Sequence, residues 1–542
     1  MKNICFKLLY FSIIFLTISV LHAQKQKVPS PKIDTVQSDS AVKEFLLSAY
    51  NPPYAWREGP YNDTDFTYYK NANFNNFMWV RDEEGLMNKV HQYNFKFFVN
   101  IRELFSEDSN GVDYLTGVKY WDDGSETYNE PVSAVTEEML QEVDAVVEKY
   151  KNDPDLIGYW ICDEPFPTAY GNISKVIQRI KDKDPLHYSL VNIGDNEYTT
   201  DDNIEHFIDT TKVEVLCYDR YNFFNGFDLN DDYFDLLGRM RNHALTHNIH
   251  FYNTVQAVGT NGTSAGELDW RTPNKAEHRW LAYTSLAYGV HGLIWFHWDA
   301  EDWGVVQNPD KDIIYPSLQS INAEIDSLIK IMFRLTTTRV FHIKGNNYAG
   351  NDIVKSVSDN VDMVLGVFKD ENGKENYFML MNADYTDSLS AQITLNFEVD
   401  ELKVFDVEND TWENVPFENT GDGAVYTIKL RSGSGKLYRF VKKDTTGLIK
   451  LRKVRGKFSL GQNYPNPFNP ATTIKYSIPE AGFVSLKVYD ILGNEVAVLV
   501  NGNQSPGTHE IIFNANNLAN GIYFYKLKYG NNIQVKRMIL MK

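Results

Sequence analysis

IGYWICDEP, residues 157–165, is an apolar, aromatic run that ends in two carboxylates and is stopped at once by proline. Such a run reads as a strand, and proline, which has no N–H to give a sheet, marks its end. Similar runs stand on either side: FLLSAYNPP (45–53), NNFMWV (75–80), FKFFVNI (95–101), YSLVNI (188–193), VEVLCYD (213–219), HFYNTVQAV (250–258) and HGLIWFHW (291–298). Helical periodicity fills the gaps: Leu140, Val143, Val146, Val147 and Tyr150, and later Ile173, Val176, Ile177 and Ile180, recur every three or four positions along one face. Eight β-then-α units over residues 40–335 predict a (β/α)8 TIM barrel, whose sites lie at the C-terminal ends of the strands. The other arrangement, a doubly wound open sheet, lacks a GxGxxG opening in the first unit.

The strand ends are therefore where chemistry is expected. Side chains alternate along a strand, so Trp160, Cys162 and Glu164 share a face, with Cys162 in the barrel interior and Glu164 at the mouth. Tyr159 and Trp160 keep the surroundings apolar, and desolvation raises a carboxyl pKa toward that of a general acid at neutral pH. The competing reading is a rim carboxylate paired with an arginine. Asp219 ends the sixth strand on the face of Val213, Val215 and Cys217, with Tyr221 two residues further, and is the first choice for the second carboxylate. Its alternative is an ion pair with Arg220 or Arg81. Asp299, followed by Glu301 and Asp302, comes next, and Glu267 and Asp269 lie in a Gly-rich loop. Arg81 is placed to hold a carboxylate, His297 to bond substrate or Asp299, and Tyr54 and Trp56 to extend the aromatic lining; salt bridging and packing explain these residues too.

Outside the barrel, strands such as NYFMLMNA and KLYRFV, separated by turns, predict a small β-sandwich over residues 336–442, then a basic linker, 443–457. Alternating runs after it, Thr473 to Ile478 and Val484 to Tyr489, predict a second sandwich over 458–542. The chain is thus multidomain, α/β followed by all-β. Residues 1–23 read as a secretory signal peptide, lysines then an apolar stretch from Leu8 to Leu21, with 24–39 a disordered segment behind it. No other run is long and apolar enough to predict a membrane span in the mature chain. A formal net charge of −19 disfavours nucleic acid and anionic membranes as partners. The 33 Tyr and 10 Trp are a stock from which sugar-stacking surfaces draw, as large cores also do. Without the signal, Cys162 and Cys217 remain, read as a free buried pair. HExxH, paired CxxC, P-loop, EF-hand and GxSxG patterns are absent, so no metal or cofactor is expected; DLNDDYFD reads as solvated surface.

Two resemblances sharpen this. NYPNPFNP, the YD-LGNEV centre and LANGIYFYKL resemble the C-terminal sorting domain of the type IX secretion system. That likeness implies the secretion machinery as partner and a secreted or outer-membrane cell-surface address. GYWICDEP with EHRWLAYTSLAYGVHGLIWFHW (277–298) is similar to clan A glycoside hydrolases acting on poly- or oligosaccharides, and the SGSGKLY ending (432–438) resembles their accessory β-domain. In that clan an acid/base glutamate ends strand four, here Glu164, preceded by Asn where this chain has Asp163. The nucleophile, a glutamate ending strand seven, is replaced by Gln256, which cannot form a glycosyl ester. Trp295 and Trp298 resemble the platform on which the sugar stacks, with Trp298 expected near the mouth and Trp295 deeper. The implied site has Glu164 and Asp219 as catalytic pair, with Arg81, Asp163, Tyr221, Gln256, Trp295, His297, Trp298 and Asp299 around the substrate. The other function class is a non-catalytic carbohydrate-binding barrel or adhesin, in which Gln256 records a lost nucleophile.

Overall fold

The computed structural model describes residues 44–53, 60–121, 125–228, 230–260, 270–299, 304–306, 308, 310–345, 351–443, 458–479, 482–504, 507–530 and 532–542. The segments read above as signal peptide and N-terminal extension, and residues Tyr54, Trp56, Glu267, Asp269, Glu301 and Asp302, lie outside them. The chain divides after Lys443 into two compact units.

The first unit begins with eight parallel strands: β1 (Leu46–Ala49), β2 (Asn76–Val80), β3 (Lys96–Asn100), β4 (Leu156–Asp163), β5 (Tyr188–Ile193), β6 (Val215–Arg220), β7 (His250–Gln256) and β8 (Gly292–Phe296). Each is followed by a helix: α1 (Asp63–Asn71), α2 (Glu84–Gln92), α3 (Glu137–Tyr150), α4 (Tyr170–Lys183), α5 (Asp201–Thr211), α6 (Asn230–His247), α7 (Lys275–Tyr288) and α8 (Lys311–Met332). The sheet runs β1-β8-β7-β6-β5-β4-β3-β2, a sequential order that an open doubly wound sheet does not have. Its seam, β1 against β2, is closed largely by Asn75: the Leu47 N–H donates to its side-chain oxygen at 3.0 Å, and its Nδ2 donates to Phe45 O at 2.9 Å. The predicted (β/α)8 barrel is present.

Local chemistry explains the helix starts. Asn62, Thr136 and Thr200 cap α1, α3 and α5 through side-chain oxygens, and Asn274 with Glu277 forms a capping box on α7. The barrel floor is aromatic. Tyr188 and Tyr252 share a 2.6 Å hydroxyl hydrogen bond, and Phe98 packs edge-on against Tyr188. Gly158 and Gly292 make room, since a Cβ would stand 2.1 Å from Tyr188 O and 2.7 Å from the Tyr252 ring. Cys217 lies above, its thiol 3.2 Å from Asn192 Oδ1, and like Cys162 it is free and buried.

Ten antiparallel strands between Thr336 and Lys442 form a six-stranded and a four-stranded sheet. The six-stranded sheet is apolar on both faces. In its strand β9 (Asp362–Lys369), Met363, Leu365 and Val367 join the sandwich core, while Val364 and Phe368 join the barrel core. That outer face covers α7, whose residues from Glu277 to Tyr288 are all buried. Gly366 allows the approach, because a Cβ there would stand 2.2 Å from Ala287 O, and Trp280 Nε1 donates to Ala383 O at 2.9 Å. Gly433, at φ +66, passes so close over α7 that a Cβ would meet Ala276 O at 2.4 Å.

The second unit is all β, with a three-stranded and a four-stranded sheet sharing a core that includes Ile474, Tyr476, Leu486, Val488, Tyr525 and Leu527. No helix among the described residues is long and apolar enough to cross a membrane.

Candidate active site

Three carboxyl groups meet at the C-terminal mouth of the barrel. Asp163 ends β4, Glu164 follows it, and Asp219 stands near the end of β6. Asn192, on the intervening β5, ties the two strands: its Nδ2 donates to Asp163 Oδ1 at 2.9 Å and to Asp219 Oδ1 at 3.1 Å. The Asp219 side chain and its charge act on Glu164. Tyr221 stands beside Asp219, and Tyr50, just past β1, beside Asp163, each lowering its neighbour's carboxyl pKa against the effect of burial.

The alternation expected along β4 is broken by a bulge. The pairing with β5 slips between Trp160 and Cys162, so Ile161 is the extra residue. Trp160 and Asp163 both reach Tyr50, whereas Cys162 lies under the influence of Arg102 and Asp113. Asp163 therefore takes the inward place that strict alternation gives to Cys162. Glu164 is left to turn the chain, with φ +47, a region unfavourable for a side chain bearing Cβ, and its N–H bonds Asn192 O at 2.8 Å. Gly194 accommodates the result. A Cβ on it would stand 2.6 Å from the Glu164 carboxyl.

This crowding sets the protonation. Burial first, then the charges of Asp219 and Asp163 and the hydrogen bond to Asp219, hold the Glu164 carboxyl well above its ordinary range. Burial and the Asp163 charge push Asp219 up to about 7, against the hydrogen bonds from Tyr221 and Asn192. Burial also raises Asp163, opposed by Tyr50, Asn192 and the Arg102 guanidinium. The arrangement suits a proton held on Glu164 and directed at Asp219.

Aromatic rings wall the cluster. Tyr50 packs edge-on to Trp160, which stacks on Trp79 at 5.5 Å, and Phe296 lies 5.6 Å from Tyr50 and 4.7 Å from Tyr221. Trp270 closes on Tyr221 at 4.5 Å. The platform expected of Trp295 and Trp298 is a correction: β8 presents Phe296 inward. Trp295 faces the helices, its Nε1 donating to Asn322 of α8 at 2.9 Å, and Trp298 is sealed between Tyr69, Phe74 and Tyr315. Neither exceeds 1% exposure.

Gln256 is likewise placed to hold loops. Its Oε1 accepts from the N–H groups of Asn222 and Phe223 at 3.1 and 2.8 Å, and its Nε2 faces the carbonyls of Phe223, Val258 and Arg271 at 3.0–3.1 Å. Every polar atom of the amide is used within the protein, which corrects its expected contact with substrate. Arg81 pairs with Glu83 at 3.4 Å, and the cation acting on Asp163 is instead Arg102, itself bonded to Asp113. Arg220 pairs with Asp195, leaving Asp219 to Glu164. His297 is buried and held neutral, its pKa brought down by burial to about 3. Asp299 is buried too, its N–H bonded to Asn51 O, and the carboxyl charges that act on Glu164 are those of Asp219 and Asp163.

Sequence reading missed Tyr50, Asn192, Arg102 and Phe296. Asn192 had a signal: it is the penultimate residue of YSLVNI, on the face of Tyr188 and Leu190. Among the described residues, the His and carboxylate groups close enough to share an ion lie away from this site, on the helices and the loop before β4.

Residues 462–541 match the family model described as Secretion system C-terminal sorting domain. No curated protein matches the chain. Among solved structures, it is similar to a glycoside hydrolase at 10% identity and TM-score 0.47, covering 74% of this chain and 93% of that one. A glycoside hydrolase family 5 protein from Bacteroides vulgatus ATCC 8482 aligns at 12% and 0.45, covering 74% and 90%. A family 5 mannosidase from Rhizomucor miehei aligns at 14% and 0.40, covering 55% and 98%.

Proposed function

We propose that the chain is an exported glycoside hydrolase that cleaves poly- or oligosaccharides with Glu164 as acid/base and Asp219 as its partner. The observation that carries this reading is the Glu164 carboxyl at the barrel mouth, buried and held well above its ordinary range by burial and by its neighbours Asp219 and Asp163. We take the reaction as double displacement with retention, which requires the two carboxyls about 5 Å apart. A glycosidic oxygen entering the site takes Asp219's place as acceptor of the Glu164 proton. As that bond breaks, the freed Asp219 carboxylate attacks the anomeric carbon and forms a glycosyl ester. Water, giving its proton back to Glu164, then hydrolyses the ester. Tyr221 and Asn192 steady Asp219, and Tyr50, Phe296 and Trp270 supply apolar faces for a sugar. Asp163 contributes as a neighbouring charge that keeps Glu164 protonated.

The sorting-domain match supports export to the medium or the cell surface. A signal peptide at 1–23 and engagement of the type IX machinery by residues 458–542 complete the proposed route.

The test is the intact chain on plant, algal and microbial polysaccharides beside Glu164→Gln and Asp219→Ala. Glu164→Gln is expected to lose at least about a hundredfold in kcat/KM, Asp219→Ala to regain turnover in azide by forming a glycosyl azide, and the first product to retain its anomeric configuration. If no glycan is cleaved yet wild type and Glu164→Gln bind one equally, the barrel is a binding module and the proposal fails.

A further inference from the structure

We propose that the seam between α5 and α6 binds a divalent transition-metal ion of the zinc class through Glu205, His243 and His247, with Asp201 holding the ring of His243. The two helices present matching rows at one-turn spacing, Asp201 and Glu205 on α5 against Arg239, His243 and His247 on α6. His243 Nδ1 lies 3.1 Å from Glu205 Oε2, and His247 Nε2 lies 2.9 Å from Glu205 Oε1. One ligand atom from each of the three residues falls within 4.8 Å of the others. Ligands about 2.0–2.1 Å from a tetrahedral zinc stand about 3.3 Å apart, so small side-chain rotations suffice to bring one atom of each group onto a single ion. Both imidazoles are mostly buried, their side chains 16% and 20% exposed, while Glu205, at 45%, leaves a fourth position open to solvent.

His243 faces a carboxylate with each nitrogen, Glu205 at Nδ1 and Asp201, 3.3 Å away, at Nε2. With a metal on Nδ1, the Nε2–H is left for Asp201, as a metal-bound histidine commonly hands its other N–H to a carboxylate. Arg239, whose Nε is 2.8 Å from Asp201, fixes that carboxylate in turn. Two imidazoles with one carboxylate suit zinc, copper or nickel rather than calcium or magnesium, which take oxygen ligands. A second cluster, His91 with Asp153 and Asp155, offers a single imidazole and serves as the comparison.

The experiment is calorimetric titration of the chelator-treated full chain with Zn2+ alone, followed by Co2+, whose visible absorption reports tetrahedral nitrogen and oxygen ligation. One saturable ion is expected, with a higher melting temperature in Zn2+. His243→Asn and His247→Asn should each abolish it, Asp201→Asn should weaken it about tenfold or more, and His91→Asn should leave it unchanged. Each variant's melting temperature without zinc, equal to that of wild type, establishes that it is folded. The proposal is overturned if no saturable binding occurs, if the His243→Asn/His247→Asn double variant binds as tightly as wild type, or if His91→Asn is the variant that loses the ion.

Discussion

At the scale of single residues, the site turns on how three carboxyls share protons. In the proposed mechanism Asp219, pushed up to about 7, must be ionised, and Glu164, raised well above its ordinary value, must stay protonated. Activity is therefore expected to rise with pH through about 7 and to fall only where Glu164 releases its proton, which a kcat/KM profile reads as the limbs of a coupled pair. Stability carries the opposite sign. Asp219 is protonated in the folded state and ionised in the unfolded state between pH 4 and pH 7, so its contribution is complete below the unfolded value and is lost as pH rises through about 7. Asp219→Asn should flatten that decline in denaturant titrations. Gln256→Glu, which puts a glutamate back at the end of β7, should destabilise by about 3 kcal/mol or more, since its second oxygen would face three carbonyl oxygens. Its melting temperature should drop with no gain in turnover. The carboxyls were legible in the sequence because each follows an apolar run. Their mutual aim was not, because the bulge at Ile161 is set by the pairing of β4 with β5, and Tyr50 and Asn192 arrive from other strands.

At the scale of elements, strands and helices were readable wherever periodicity is local, and facing was misread where a strand end departs from alternation. On β8, Trp295 lies toward α8 and Phe296 toward the mouth, a choice made by Asn322 and the helix layer, which no period-two count contains. Helix α7 shows what its sequence did hold: a run from Trp280 to Tyr288 without a charged residue, as expected of a helix covered on every side. What covers it comes from a strand more than 70 residues later. Gly366→Ala, whose Cβ would press on Ala287 O, should cost about 2 kcal/mol. Gly171→Ala on α4, where a Cβ meets nothing within 4 Å, should gain about 0.5 kcal/mol. The two melting temperatures should move in opposite directions.

At the scale of the whole molecule, the division after Lys443 predicts that a chain ending there keeps the melting transition and the activity of the barrel-bearing unit. A chain ending at Leu335 should fail to fold, since it strips the sheet from α7. The succession of barrel, sandwich and sorting domain was legible because composition and turn patterns change along the chain. The fusion of barrel and sandwich into one body was not, because it rests on a sheet apolar on both faces, and an alternating pattern that hides both parities looks like any buried strand. That two-faced sheet bears on inheritance. A recombination break between Met332 and Thr336 would hand each descendant half of a shared core, whereas one after Lys443 falls where the chain divides into two compact units. Barrel and sandwich are therefore expected to travel together through gene fusions as a single heritable block, while the sorting domain can be exchanged for another address.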